Sequence, residues 1–133
     1  MACVRYIVDD IDAAVGFYRD LLGFAVEMHN PSKFAALERG DLRLLINAPG
    51  AGSAGRAGGD PRPGGWSRFQ IETEDLDGMI ARLRAAGASF RGDIADAGAG
   101  RQILLEDPSG NLVELFEPNT AAYRAPGGRS TTG

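Results

Sequence analysis

The chain has 133 residues, 44% hydrophobic and 24% charged, with a formal net charge of −4. That length suits one domain with a sizeable core, and that composition excludes a disordered or fibrous chain. The acidic balance gives no electrostatic reason for nucleic-acid binding, and no apolar run reaches the length of a membrane span. No secretory leader is expected, and the single cysteine, Cys3, excludes an internal disulfide framework and a thiolate zinc cluster. A soluble, cytoplasmic domain is the expectation.

The chain opens as a strand, with Val4, Tyr6 and Val8 alternating with Cys3, Arg5 and Ile7. Asp9-Asp10 supplies a helix N-cap, because a carboxylate accepts the free amides of a first turn. Ile11, Ala14, Phe17, Tyr18 and Leu21 follow at helical spacing, and Gly23 is a natural left-handed stop. A weaker strand around Phe24 to Met28 precedes two short apolar segments, Phe34 to Leu37 and Leu42 to Ile46. Glu38-Arg39-Gly40-Asp41 reads as the hairpin turn between those two.

Residues 48–65 then turn to Gly, Ala, Pro and Arg, a composition that reads as a flexible connector; a mobile lid over a cavity is the functional alternative. The first pattern returns after it. Phe69, Ile71 and Thr73 alternate with Arg68, Gln70 and Glu72, and Asp75 caps a helix whose face is Leu76, Met79, Ile80 and Leu83, ending at Gly87. Gln102 to Glu106, a turn at Asp107-Pro108-Ser109-Gly110, and Leu112 to Phe116 complete the copy. "VDDIDAAVGFYRDLLG" parallels "TEDLDGMIARLRAAG", and "LERGDLRLLI" parallels "LEDPSGNLVELF". The expected organisation within a single domain 1–133 is a first module, 1–47, the connector 48–65, a second module, 66–118, and a frayed tail, 119–133.

Each module must bury one sheet face on its helix, which leaves the opposite faces free to enclose a cleft. Strand parity puts Val4, Tyr6, Val8 and Phe69, Ile71, Thr73 on the helix side. Cys3, Arg5, Ile7 and Arg68, Gln70, Glu72 then face the cleft, with Leu112, Glu114 and Phe116 on the last strand.

The motifs "YIVDDIDAAVGFYRDLLGF", "FQIETEDLDGMIARLRAAG" and "GRQILLEDPSGNLVELFEP" resemble the vicinal oxygen chelate superfamily of glyoxalases, bleomycin-resistance proteins and extradiol dioxygenases. The resemblance covers Val4 to Pro118. It implies an α+β fold of two βαβββ modules forming a curved mixed sheet, an incomplete barrel, around a ligand cleft. It also implies a homodimer, and in the family's enzymes a divalent metal held from the first and last strands of the modules. Counting seven residues back from Asp10 and Asp75, and aligning the turns at Gly40 and Gly110, puts Cys3, Leu44, Arg68 and Glu114 in those places. Leucine has no donor atom and arginine stays protonated, so the usual metal site is expected to be lost and no cofactor is expected. The one histidine, His29, reads as an exposed imidazole at a loop edge.

Several readings of the cleft stay open. Arg68 and Glu114 form a structural ion pair, or orient a polar ligand with Glu114 as general base. Arg5, Gln70 and Arg101 contact an anionic ligand, or the arginines sit at a rim facing water. Trp66 stacks on a planar ligand, or packs between modules or subunits. Phe34 and Phe116 read as core, and Cys3 as a small buried residue. The first functional expectation is a metal-independent small-molecule binding protein, sequestering an aromatic or anionic compound. Its alternative is a glyoxalase- or dioxygenase-like enzyme acting next to a carbonyl. An accessory protein with an empty cleft is a third reading.

Overall fold

The computed structural model describes residues 2–51, 56–96 and 98–119. The expected connector therefore loses 52–55 from description, and the expected tail lies outside the described residues except for Asn119. The chain is α+β, with two four-stranded sheets, each built from one βαβββ module. By contacts it forms two compact units. One runs through Ser67 and takes in Asp107–Leu112; the other holds Arg68–Glu106 and the chain from Val113 on.

In the first unit, β1 (Ala2–Ile7) leads to α1 (Ile11–Gly16), then β2 (Ala25–Asn30), β3 (Phe34–Arg39) and β4 (Leu42–Asn47). The sheet order is β1-β4-β3-β2, with β1 parallel to β4 and the other pairs antiparallel. Asp10 caps α1 as expected, its carboxylate accepting from Ala13 N at 3.0 Å. The helical spacing read through Leu21 is regular only to Gly16; Phe17–Leu21 is a π-helical turn. Widening a helix in this way changes which residues face inward. Here it accommodates two consecutive buried rings, Phe17 and Tyr18, edge to face at 5.0 Å.

The register pairs Val4 with Leu44, Tyr6 with Ile46, Leu37 with Leu44 and Ala35 with Ile46. All but Val4 are buried, and α1 contacts β3 and β4, so this face is the core. The opposite face carries Cys3, Arg5, Arg43, Leu45 and Asn47, as alternation requires.

The turn Asp107–Leu112 belongs to this unit and is tied to it by side chains. Tyr18 OH donates to Asp107 Oδ2 at 2.8 Å, Asn111 Nδ2 donates to Ile7 O at 2.8 Å, and Tyr6 OH donates to Leu112 O at 2.6 Å. Burial holds the Tyr18 hydroxyl well above the ordinary phenol range, and the Asp107 carboxylate pushes it the same way. The phenol therefore stays a donor.

The second unit repeats the plan: β5 (Arg68–Glu72), α2 (Leu76–Ala85), β6 (Ser89–Asp96), β7 (Gly100–Glu106) and β8 (Leu112–Pro118), in the order β5-β8-β7-β6. Asp75 caps α2 through Gly78 N at 3.0 Å. Phe69 and Ile71 bury with Leu76, Met79, Ile80 and Leu83, the face that helical spacing marks out. Gly23 and Gly87 hold the left-handed conformation expected of helix stops, with φ of 74° and 85°. β6 is absent from the sequence reading because Ser89–Asp96 is polar and largely exposed.

Candidate functional site

The two modules can be aligned by their backbones. Val8 and Thr73 each stand two residues before the capping aspartate; Val8 N donates to Asn47 O and Thr73 N to Phe116 O, both at 2.9 Å. Asn47 therefore corresponds to Phe116, and Leu45, two residues earlier on the same face, corresponds to Glu114. This corrects the placement of Leu44, which is fully buried on the helix side opposite Val4. The sequence alignment at Gly40 and Gly110 slips by one because the turn from Asp107 to Asn111 is longer than the Gly40-Asp41 connection. By the same count Cys3 corresponds to Arg68 and Arg5 to Gln70.

Glu114 is 8% exposed on β8, and both its oxygens are engaged. Arg68 Nε donates to Oε1 at 2.9 Å and Gln70 Nε2 to Oε2 at 2.8 Å. Arg68 and Gln70 alternate on β5, so one sheet face brings the three together. A carboxylate held this way is neither a free base nor an open metal ligand.

The equivalent positions of the first module are Cys3, which is exposed rather than the small buried residue expected, and Leu45, which has no donor atom. A divalent cation needs several lone-pair donors, and a permanent guanidinium at close range repels it. The residues at these positions do not fit a metal ion. Among the described residues no group of three or more His, Cys, Asp and Glu side chains gathers to hold one. His29 Nε2 lies 2.8 Å from Asp12 Oδ1, a pairing between β2 and the first turn of α1.

The first unit holds a cavity of about 1400 Å³ on the sheet face away from its core. Arg5 from β1, Arg43 from β4, Lys33 from the turn before β3 and Arg56 line it with Glu27 from β2. Met28, Phe34 and Leu45 supply apolar wall. Arg43 Nε lies 3.1 Å from Glu27 Oε1, an ion pair by distance whose alignment falls short of a hydrogen bond. The Glu27 carboxylate close to Glu38 holds the Glu38 carboxyl above its ordinary range. Arg5 Nη1 donates to Asn47 Oδ1, and Asn47, 5% exposed, donates through Nδ2 to Ala51 O at 3.1 Å.

The expected ligand contacts fall in both units. Arg68, Gln70 and Glu114 form one cluster in the second unit, and Arg5 lines the cavity in the first. Arg101 is engaged with Asp77 of α2 and with Glu117, at 3.2 and 2.8 Å, which holds its guanidinium strongly protonated. Trp66 is 65% exposed and does not line the cavity. Phe34, expected in the core, is half-buried in the cavity wall, whereas Phe116 is buried. Sequence reasoning missed Asn47, Lys33 and Arg56. The one available signal was a polar residue ending the apolar run Leu44-Leu45-Ile46.

The family model of the Glyoxalase/Bleomycin resistance protein/Dioxygenase superfamily matches residues 1–115, and the chain belongs to that family. A bleomycin resistance protein of Geobacillus stearothermophilus is 28% identical over 123 residues, spanning 83% of this chain and 90% of its own. TnmS3, an antibiotic binding protein from Streptomyces sp. CB03234, has a similar structure, with a TM-score of 0.68 at 26% identity over 88% of this chain and 93% of its own. Lactoylglutathione lyase from Agrobacterium tumefaciens reaches a TM-score of 0.70 at 23% identity, over 88% and 92%, a likeness of fold alone. Binders and an enzyme share this architecture, so the choice between them falls to the residues of the site. Among the described residues no helix is long and apolar enough to cross a membrane.

Proposed function

We propose that the protein is a metal-independent small-molecule binding protein that sequesters an aromatic or anionic compound. The observation that carries this reading is the engagement of Glu114 by Arg68 and Gln70. The residue best placed to ligate a metal or abstract a proton is already neutralised by a permanent cation. The alternative enzyme would need Glu114 as a desolvated, unpaired base, and this geometry speaks against it. The cavity of the first unit, with polar groups set in apolar wall, supports binding. So do the relatives named for bleomycin resistance and antibiotic binding, whose ligands place antibiotic sequestration first among the uses to be tried. Action in the cytoplasm as a homodimer is part of the proposal. Support for the dimer is the edge strand β2, with Val26 and Met28 exposed, and light scattering reads it directly.

The test is a thermal-shift screen of aromatic and anionic compounds, bleomycin included, on protein dialysed against a chelator. A concentration-dependent rise in Tm without turnover of the ligand is the expected result. Consumption of the ligand that is lost in Glu114→Gln would overturn it in favour of the enzyme.

A further inference from the structure

The cavity of the first unit has the wrong charge for a chain of net −4: four basic side chains line it against one acid. Arg43 is matched by Glu27, but Arg5, Lys33 and Arg56 have no carboxylate within ion-pair distance among the described residues. Outside the cavity Arg19, Arg62, Arg68, Arg91 and Arg101 are each ion-paired, whereas these three cations, like Arg39, Arg82 and Arg84 elsewhere, have no counter-charge among the described residues, and they share one cavity.

Two of the three stand at the same end of β4. Asn47 accepts from Arg5, which leaves four of the five guanidinium donors uncommitted. Asn47 is also the register partner of Phe34, and Ala48 N donates to Lys33 O at 2.9 Å, so Lys33 flanks the same strand end. Phe34 and Leu45 line the same cavity. A guanidinium held by Asn47 and a lysine ammonium lining one cavity suit an oxyanion, and the apolar wall suits an apolar body.

Resting on the binding reading above, we propose that this cavity selects organic anions, an oxyanion head of carboxylate, sulfonate or phosphate type seated between Arg5 and Lys33 with its apolar body against Phe34 and Leu45. Asn47 is a positioning residue in this site, because it acts through Arg5. The cavity's cations repel a cationic ligand, so the charge of the ligand separates this chain from any relative that takes a cation.

The experiment uses two fluorescent probes of the same shape, anilinonaphthalene sulfonate and its uncharged parent phenylnaphthylamine, titrated into the full chain. Both substituted residues, Arg5 and Lys33, are exposed, so Arg5→Gln and Lys33→Gln keep the fold. The sulfonate should bind wild type about tenfold more tightly than the parent. Each substitution should weaken the sulfonate by roughly three- to tenfold and leave the parent unchanged, and added salt should act in the same direction. Equal affinity for the two probes, or sulfonate binding indifferent to both substitutions, would overturn anion selection while the binding reading survives. Failure of both probes to bind would overturn the cavity as a ligand site and the binding reading with it.

Discussion

Arg68 closes on Glu114 with Nε 2.9 Å from Oε1, the arginine side chain 36% exposed and the carboxylate side chain 10% exposed. The asymmetry in exposure decides what each partner is worth. Removing the arginine strands a nearly buried charge whose other oxygen accepts from Gln70. Water reaching the Arg68 side softens that cost below the range for a fully buried pair. Arg68→Met should therefore destabilise the protein by about 1–3 kcal/mol in urea unfolding. Replacing both partners together, Arg68→Met with Glu114→Leu, should return stability to within about 1 kcal/mol of wild type. A double variant no better than the single one would mean that the pair is not the electrostatic unit its geometry describes.

Asp107 is the acceptor hub of the first unit. Its Oδ1 takes Ser109 N at 2.9 Å and Asn111 N at 2.8 Å, and its Oδ2 takes Tyr18 OH at 2.8 Å and Asn111 Nδ2 at 3.1 Å. Asp107→Ala withdraws all four bonds from a buried place and should cost about 3 kcal/mol or more. Loss of less than about 1 kcal/mol would contradict this role.

Tyr18 makes the same network sensitive to alkali. Its folded-state pKa lies above the unfolded value of about 10, so the native state keeps a proton that the unfolded chain sheds. The contribution is fully present below that unfolded value and declines as pH rises above it, by up to about 1.4 kcal/mol per pH unit. Alkaline unfolding followed by circular dichroism should show a shallower decline in Tyr18→Phe than in wild type. Parallel curves would contradict the assignment.

Gly100 begins β7 with no room for a side chain. A Cβ there would sit 2.3 Å from Glu117 O, 2.8 Å from Phe116 Cζ and 2.9 Å from Pro118 Cα. Two of those atoms are backbone and cannot swing aside. Gly100→Ala should cost about 2 kcal/mol or more, read as a fall in the urea midpoint. A near-neutral result would show that β7 and β8 shift apart easily.

Much of the fold was legible because duplication doubles every signal. Asp10 and Asp75, Gly23 and Gly87, and the apolar stripes of both helices appear where spacing put them. β6 escaped, and β2 was legible only as a weaker strand around Phe24 to Met28. β2 is exposed along its whole length and β6 along most of it, so neither carries the alternation that marks a half-buried strand. The site was less legible than the fold, for a related reason. A one-residue slip in aligning turns of unequal length moves a strand to its other face, and this exchanged Leu44 for Leu45. Arg68, Gln70 and Glu114 were readable as a set because strict alternation places them on one face. Asn47, Lys33 and Arg56 come together through turns that no period describes.

The central claim, binding without a metal, is met most directly by elemental analysis of protein purified without chelators and without an affinity metal column. The account predicts zinc, nickel, iron and manganese all far below one atom per chain, in a protein that still gains Tm with an anionic ligand. Near-stoichiometric content of any one of them would contradict it and return the chain to the metal-dependent enzymes of its family.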